Sequence, residues 1–294
     1  MKLGMCNEEG LKFLSKISDK SVDLILVDPP YITSKETGMD KWVDHVEKQD
    51  KEGSAPCKTS EQWKQYFSKI KWFERHGKKK FDSRLKAYKR LKKNYLKYGS
   101  IYGKKYAVKT DYGDWDSQFT MEKLQLFISD FYRVLRDGGT CIIFFDIWKL
   151  SYLKEMIETE KFKQPRFIEW IKTNPMPINS KRNYLTNCRE VALLGVKKGR
   201  PTFNSQHDNA IYKYPSQVGK GRYHPTQKNL NLFEDLIKKH SNEGDLVLDC
   251  FLGSGTTAVA AHNTNRNFTG CELDKEYYDK AAQRLNDLNI EYNL

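Results

Sequence analysis

Short apolar runs alternate with amphipathic segments along most of this chain, a pattern typical of α/β proteins with a mostly parallel, buried sheet. The predicted strands are 24–27, 140–145, 166–172, 191–196, 246–250 and 268–271. The predicted helices are 8–20, a segment that begins after Thr120 and stops at Gly138-Gly139, 149–159, 227–240, and segments from about 256 and from 275. Residues 198–223 contain little apolar sequence and are predicted to form loops.

The first of these strands runs directly into a stiff turn, Asp28-Pro29-Pro30-Tyr31. Two successive prolines donate no backbone hydrogen bond and cannot continue a central strand. Open α/β sheets bind their ligands at the carboxyl ends of the strands. There the turn would present a carboxylate, bare carbonyl oxygens and a phenol ring. Taken alone, these four residues are equally consistent with an ordinary Pro-Pro turn capped by an aspartate.

A glycine turn follows the strand at 246–250, in the sequence Phe251-Leu252-Gly253-Ser254-Gly255-Thr256. Its two glycines allow a sharp bend and a close approach to a ligand. Glu272 stands nineteen residues after Gly253, at the end of the next predicted strand, where a carboxylate can accept hydrogen bonds from ribose hydroxyls. The third glycine of a dinucleotide fingerprint is missing, so the turn suits a nucleoside better than a pyrophosphate. Such turns also occur without ligands, and it is Glu272 that favours a nucleoside cofactor.

All of the excess positive charge lies in one segment. The 294 residues carry a formal net charge of +13, but residues 64–109 contain 17 Lys and Arg against two acids, which leaves the rest of the chain at −2. Ten aromatic residues are interleaved with these cations, and the apolar spacing within 84–98 predicts a helix. Exposed rings could stack on unpaired bases while the cations neutralise phosphates. The alternative is a solvated helical insertion whose aromatics dock on the main domain.

Several classes of protein are disfavoured by what the sequence lacks. No apolar run approaches 18 residues, and the N-terminus lacks the apolar region of a signal peptide. Six cysteines are scattered without a C-x-x-C pair. This usage predicts reduced thiols in a cytoplasmic protein, with neither a disulfide framework nor a metal site.

Three motifs in a defined order resemble those of the S-adenosylmethionine-dependent DNA amino methyltransferases, which modify N6 of adenine or N4 of cytosine. They are Asp28-Pro29-Pro30-Tyr31, His224-Pro225-Thr226-Gln227-Lys228 and Phe251-Leu252-Gly253-Ser254-Gly255. The catalytic motif comes first and the cofactor motif last, as in the family's permuted β group. The resemblance covers about two thirds of the chain. It implies a Rossmann-like methyltransferase fold with a mostly parallel sheet and circularly permuted motif order, to which a basic helical insertion is added.

The resemblance also implies roles for the matching residues. Asp28 and the Pro29 carbonyl would accept hydrogen bonds from the amine of the target base, Pro30 would complete the stiff turn, and Tyr31 would stack on a base flipped out of the duplex. The implied cofactor-binding residues are Phe251, Gly253, Ser254, Gly255, Thr256, Glu272, Thr226, Gln227 and Lys228. The proline that usually follows the family's lysine is Asn229 here.

The same resemblance divides the chain into parts with separate tasks. Residues 1–32 and 110–172 would form the catalytic half, 33–109 a basic aromatic-rich insertion that clamps DNA, 173–223 the target-recognition region, and 224–294 the cofactor-binding half. The candidate DNA contacts are Lys78, Lys79, Lys80, Arg84, Lys89, Arg90, Lys181, Arg182 and Arg222.

The implied activity is site-specific methylation of adenine N6 in double-stranded DNA, with S-adenosylmethionine as methyl donor. Cytosine-specific relatives usually carry Ser in place of Asp28, so cytosine N4 is the alternative target. An RNA substrate is a further alternative, as is an inactive DNA-binding module on this fold, although all three motifs are intact. The expected location is the cytoplasm, and the expected origin of the protein is prokaryotic or viral. The sequence leaves open whether the protein forms a homodimer and whether a companion restriction endonuclease exists.

Overall fold

A computed structural model of the chain describes residues 2–32, 58–69, 81–98, 119–175, 187–218, 223 and 227–293. The chain divides into two compact units, one made of Met1–Ile32 with Asp114–Leu294 and the other of Thr33–Gly113. The strands of the first unit are β1 (Leu3–Asn7), β2 (Val22–Val27), β3 (Leu135–Phe145), β4 (Lys163–Lys172), β5 (Arg189–Val196), β6 (Ile211–Tyr214), β7 (Leu246–Asp249) and β8 (Asn267–Glu272). The helices along the chain are α1 (Gly10–Ser15), α2 (Ser60–Lys69), α3 (Phe81–Tyr98), α4 (Met121–Val134), α5 (Leu150–Thr159), α6 (Leu230–His240), α7 (Thr256–Asn263) and α8 (Lys275–Asp287).

The eight strands form one sheet in the order β1-β8-β7-β2-β3-β5-β4-β6. Neighbouring strands are parallel except where β5 runs antiparallel to both β3 and β4. The predicted α/β fold with a mostly parallel sheet is therefore confirmed. The prediction of loops throughout 198–223 is wrong at β6, whose four residues pair with the end of β4. That strand is too short to show an alternating pattern, and β1 at the N-terminus is likewise absent from the predicted strands.

Helices cover both faces of the sheet, and β2 shows why. Its side chains alternate, with Leu24 and Leu26 buried on one face and Ile25 and Val27 buried on the other. The apolar sides of α6, α7 and α8 pack on the first face, and those of α1, α4 and α5 pack on the second. An uninterrupted apolar run is therefore what the central strand of this three-layer core requires.

Gly138 and Gly139 lie inside β3 rather than ending the preceding helix, so that part of the prediction is wrong. The helix α4 already ends at Val134. Gly138 has a φ of +81°, and a Cβ there would lie 2.7 Å from the Arg200 carbonyl oxygen. The chain after β5 crosses this close, since the Gly138 amide donates to the Lys197 carbonyl. Glycine is needed here for that approach.

The second unit contains a helical hairpin, α2 and α3, with an aromatic core of its own. The Trp63 side chain is 1% exposed, and its ring packs against those of Tyr66, Phe67, Tyr88 and Tyr95. The Trp63 indole also donates a hydrogen bond to the Tyr88 hydroxyl at 3.0 Å. These rings therefore build the hairpin instead of forming an exposed stacking surface. The exposed side of α3 carries cations, among them Lys86, Lys89, Arg90 and Lys93.

None of the helices in the described ranges is long and apolar enough to cross a membrane.

Candidate active site

The sheet topology brings the two sequence motifs to one edge. β2 lies between β7 and β3, and its register pairs Ile25 with Leu248 on one side and Val27 with Ile143 on the other. All three strands run in the same direction, so the turn at Asp28 and the turn at Phe251 leave the sheet side by side. The strand order reverses at this point, where open α/β sheets bind ligands.

The Asp28–Tyr31 turn is fixed from beneath by a lysine. The Lys149 ammonium donates to the carbonyl oxygens of Tyr31 at 2.7 Å and Ile32 at 3.0 Å, and it pairs with Asp146 at 3.1 Å. The Tyr31 ring packs edge-on against Phe145 at 5.9 Å between centroids. Ile32 has a φ of +56°, which is strained for a β-branched residue. The backbone at the end of the motif is thus held in a conformation that it would not adopt by itself.

Asp28 lies in a buried cluster of alternating charges. The Lys228 ammonium contacts Asp28 Oδ2 and lies 3.0 Å from Glu190 Oε2. Glu190 pairs in turn with Lys172 at 2.5 Å. The other carboxylate oxygen of Asp28, Oδ1, is buried and has no hydrogen-bond partner in the part of the chain that the structure describes. One oxygen of Asp28 therefore contacts a cation and the other has no hydrogen-bond partner among the described residues, while the Tyr31 hydroxyl also interacts with this carboxylate.

The charges in this cluster shift one another's pKa values. Burial raises the pKa of Asp28, the Lys228 charge opposes that rise, and the Glu190 charge reinforces it. Burial lowers the pKa of Lys228, but the two carboxylates beside it outweigh burial and raise its pKa overall. Burial, and then the negative charge of Asp28, raise the pKa of Tyr31 well above its usual value. Lys228 thus stays charged and Tyr31 stays a neutral phenol.

Glu190 and Lys172 are site residues that the sequence reasoning missed. The predicted strand begins at Val191, so the acid before it falls outside the predicted elements. Because β5 is antiparallel, its first residues lie at the edge where the parallel strands end, opposite the end of β4. The sequence shows an acid directly before an apolar strand, which could have suggested Glu190. Its position at the site depends on the direction of β5, and local sequence pattern does not reveal that direction.

The glycine turn has the backbone geometry of a ligand loop. Gly253 and Gly255 have φ values of +54° and +75°. The Gly253 amide donates to Glu272 Oε2 at 2.7 Å, and the Asp274 amide donates to Glu272 Oε1 at 2.9 Å. These two hydrogen bonds hold the carboxylate at the end of β8 against the turn. Burial raises the pKa of Glu272, while the two amides act in the opposite direction.

Asp249, at the end of β7, supports the same turn from inside. It accepts hydrogen bonds from the Phe251 amide at 2.9 Å and from the Thr257 hydroxyl at 2.5 Å. Burial raises its pKa to about 7. From α8, Arg284 donates to the Ser254 carbonyl at 2.9 Å and to the Thr256 hydroxyl at 3.0 Å.

The remaining predicted residues are placed unevenly. Gln227 is buried and accepts a hydrogen bond from the Tyr223 amide at 2.8 Å, and Phe251 packs on Phe127 at 4.8 Å. Lys89 and Arg90 are exposed on α3, which also contains Arg84. Outside the described residues lie the candidate cofactor-binding residue Thr226 and six candidate DNA contacts, Lys78, Lys79, Lys80, Lys181, Arg182 and Arg222.

Asn229 stands where relatives usually have proline, and its hydrogen bonds show how the chain begins α6 without that proline. Its side chain caps α6 by accepting from the Leu232 amide at 3.1 Å, and it also donates to the Pro215 carbonyl at 2.9 Å. A side-chain cap of this kind begins a helix as effectively as a proline in its first turn. The substitution therefore preserves the position of Lys228 directly before the helix.

The residues present fit S-adenosylmethionine. The left-handed glycines allow close approach of a ligand, and the held Glu272 carboxylate suits the two ribose hydroxyls. Asp28, at the neighbouring strand end, lies beside the turn where the methyl group would be delivered. No group of three or more His, Cys, Asp or Glu that could hold a metal ion occurs within the described ranges.

Comparison with known proteins gives one consistent result. A family model described as DNA methylase matches residues 22–283. The Type II methyltransferase M2.DpnII of Streptococcus pneumoniae is 34% identical over 200 residues, which are 60% of this chain and 73% of that protein. The crystal structure of the M1.HpyAVI–SAM complex matches with a TM-score of 0.52 at 39% identity, covering 56% of this chain and 83% of that one. The cytosine-N4-specific PvuII DNA methyltransferase shares the fold, with a TM-score of 0.60 at 16% identity over 99% of this chain and 89% of that one.

Proposed function

Because the chain belongs to the DNA methylase family and uses S-adenosylmethionine as its methyl donor, we propose that it methylates N6 of adenine at specific sites in double-stranded DNA. The observation that carries the proposal is the buried Asp28 Oδ1, at the start of the Asp28–Tyr31 motif, which has no hydrogen-bond partner within the described ranges. An exocyclic amine has two hydrogens to donate. The Asp28 carboxylate and the Pro29 carbonyl are the acceptors that this turn offers.

The chain's residues act by positioning and by electrostatics. The lone pair of an adenine N6 is delocalised into the ring, which makes the amine a poor nucleophile. Hydrogen bonds from its two N–H groups to Asp28 and Pro29 favour a tetrahedral nitrogen whose lone pair points at the methyl carbon. Tyr31 stacks on the flipped base and offsets part of the few kcal/mol that flipping costs. When bound, S-adenosylmethionine would supply a methyl group activated by the sulfonium charge. The S–C bond breaks as the N–C bond forms, the neutral thioether is the leaving group, and the methylated amine loses one proton to solvent.

The choice of base is tested by identifying the product. Purified protein is incubated with S-adenosylmethionine carrying a labelled methyl group and with DNA of mixed sequence, and the DNA is then digested to nucleosides. We expect the label in N6-methyladenine, because Asp28 and not Ser precedes the two prolines. Label in N4-methylcytosine would instead support the alternative target. Absence of label from DNA under conditions where S-adenosylmethionine binds would favour an inactive binding module.

We also propose that the basic hairpin contacts DNA through its phosphates. The cations on the exposed side of α3 are Lys86, Lys89, Arg90 and Lys93. The helix contains one acidic residue, Asp82, so this side carries a net positive charge. Residues 173–223 are proposed as the target-recognition region from their position in the chain. Because Trp63 and the four rings around it pack on one another, the contribution of the hairpin is expected to be electrostatic and independent of sequence.

The hairpin proposal is tested by changing its four exposed cations to glutamine. DNA affinity should fall, and the slope of log K against log salt should flatten by about 0.9 for each phosphate that the variant no longer neutralises. The matched control changes Lys12, Lys154, Lys238 and Lys275, exposed lysines of the first unit that each pair with an acid four residues away. Equal slopes in both variants would remove the hairpin from the DNA interface.

The cellular setting follows from the same family. Since the relative M2.DpnII is named a Type II methyltransferase, we propose that this chain acts in DNA methylation linked to restriction–modification inside a prokaryotic cell. Modification-sensitive sequencing of DNA from cells that express it would report the modified base and its sequence context. Modified sites without a common sequence would argue against site-specific action.

A further inference from the structure

Asp28 and three charged groups near it form a chain in which the signs alternate. Lys172 pairs with Glu190 at 2.5 Å, Glu190 lies 3.0 Å from the Lys228 ammonium, and Lys228 contacts Asp28. The Lys228 side chain is 6% exposed, so its charge is neutralised by these two carboxylates and hardly by water. Buried pairs of this kind are costly to assemble and strongly destabilising to break on one side.

Each member of this chain comes from a different element. Asp28 follows β2, Glu190 is the second residue of β5, Lys172 is the last residue of β4, and Lys228 precedes α6. Only Asp28 and Lys228 belong to the recognisable motifs. Glu190 is therefore placed by the antiparallel β5 at a distance where it shares Lys228 with the catalytic carboxylate.

Because Asp28 and Glu190 share the Lys228 ammonium, one oxygen of Asp28 is left for the amine of the target base. Lys228 engages Asp28 through Oδ2 and leaves Oδ1 buried without a hydrogen-bond partner among the described residues. Without Glu190, the ammonium would have one carboxylate to neutralise it instead of two, and it would compete with the substrate's N–H for both oxygens of Asp28. A three-donor ammonium can do this because its hydrogen bonds reorient freely.

We propose that Glu190 is a positioning residue, which holds the Lys228 ammonium between two carboxylates so that the ammonium stays on Oδ2 of Asp28 and Oδ1 remains available to the target amine. This inference rests on the proposed amine methylation. It gives Lys228 a role at the substrate end of the site, in addition to the cofactor role that the motif resemblance implies.

The proposal predicts that Glu190 and Lys228 have opposite effects on the acid limb, which is the fall in the methyl-transfer rate at low pH. Asp28 must be ionised to be the stronger acceptor, so activity falls as it is protonated. Glu190 raises the pKa of Asp28 and Lys228 lowers it, while burial is the largest cause of its elevation. The charged and titratable groups that act directly on the Asp28 carboxylate are Lys228, Glu190, Tyr31 and Asp249. Two further groups act indirectly: Lys172 pairs with Glu190, and the charge of Asp146 acts on Tyr31.

The experiment measures single-turnover methyl transfer to DNA across a pH series for wild type, Glu190→Gln, Glu190→Asp and Lys228→Gln. Removing the Glu190 charge should move the acid limb to lower pH, and removing the Lys228 charge should move it to higher pH. The Glu190→Asp variant should restore the wild-type limb. Affinity for S-adenosylmethionine, measured alongside, should change little in Glu190→Gln.

Two limbs that stay at the wild-type pH, or that move in the same direction, would overturn the proposal. A merely structural role would lower the rate at every pH without moving the limb. If Glu190→Gln does not fold, Lys172→Gln serves, because freeing Glu190 from Lys172 should draw Lys228 away from Asp28 and move the limb upward; an unmoved limb there would also overturn it. Failure of the proposed function is a separate result, since it would appear as no methylated base from the wild-type protein.

Discussion

The aromatic core of the α2–α3 hairpin makes a quantitative prediction for Trp63→Ala. Trp63 is 1% exposed, and the nearest of the rings around it, Phe67 and Tyr95, lie at centroid distances of 4.9 and 5.4 Å. Truncating a buried Trp costs about 3–5 kcal/mol, and the Tyr88 hydroxyl would also lose its donor. Helices of 10 and 18 residues hold little stability by themselves. The truncation should therefore remove most of the stability of the hairpin.

Hydrogen exchange measures this loss locally. A loss of about 3 kcal/mol corresponds to a drop of about two orders of magnitude in the protection of α3 amides, since 1.4 kcal/mol is a factor of ten. Amides of β2 and β7, in the other compact unit, should keep their protection. DNA affinity should fall because the α3 cations lose their fixed arrangement, while affinity for S-adenosylmethionine should be retained. Gln65→Ala, an exposed change in the same helix, is the matched control.

Three results would refute this reasoning. Unchanged protection of α3 in Trp63→Ala would mean that the ring cluster does not hold the hairpin together. Lost protection with undiminished DNA affinity would mean that a folded hairpin contributes nothing to DNA binding. Loss of protection throughout β2 and β7 would show that the hairpin's stability is not local to its own unit.

Two further predictions concern the cofactor turn. Gly255→Ala places a Cβ at a φ of +75° and 3.3 Å from the Ala281 Cβ, which should cost about 1–2 kcal/mol. Equilibrium dialysis should show weaker binding of S-adenosylmethionine to this variant, while its affinity for DNA should not fall. The control Gly244→Ala, at a φ of +82° in open space, should leave the affinity for S-adenosylmethionine unchanged. Burial raises the pKa of Asp249 from 3.8 to about 7, so ionising it destabilises the folded state as pH rises through that window. Relative to wild type, Asp249→Asn should therefore gain up to about 4 kcal/mol in the free energy of unfolding from about pH 4 to about pH 8, measured with urea, and a pH-independent difference would contradict the assignment.

Local pattern is sufficient for the central elements of the fold. The run Leu24–Val27 is apolar on both faces because helices cover both sides of the sheet, and a Pro-Pro turn can only end such a strand. The glycine turn and Glu272 are likewise visible, because the strand–turn–helix geometry that holds them is encoded within about thirty residues. The catalytic and cofactor ends of the site are therefore predictable in kind.

Features that depend on distant pairing are not predictable in this way. The direction of β5 is decided by its neighbours in the sheet, and with it the position of Glu190 beside Lys228. Similarly, the sequence predicts that Gly138 ends a helix, but in the structure Gly138 lies in β3 and allows the backbone at Arg200 to approach closely. The sequence predicts rings that are exposed or docked on the main domain, yet Tyr88 and Tyr95 pack on Trp63, which lies just before the basic segment.

The most direct test of the central claim compares wild type with Asp28→Ala in a single-turnover assay. The assay follows labelled methyl from S-adenosylmethionine into DNA, and binding of S-adenosylmethionine is measured on the same samples. If Asp28 holds the target amine, the variant should bind the cofactor as wild type does and transfer no detectable methyl to adenine N6. Transfer by Asp28→Ala at a rate near that of wild type would contradict the account.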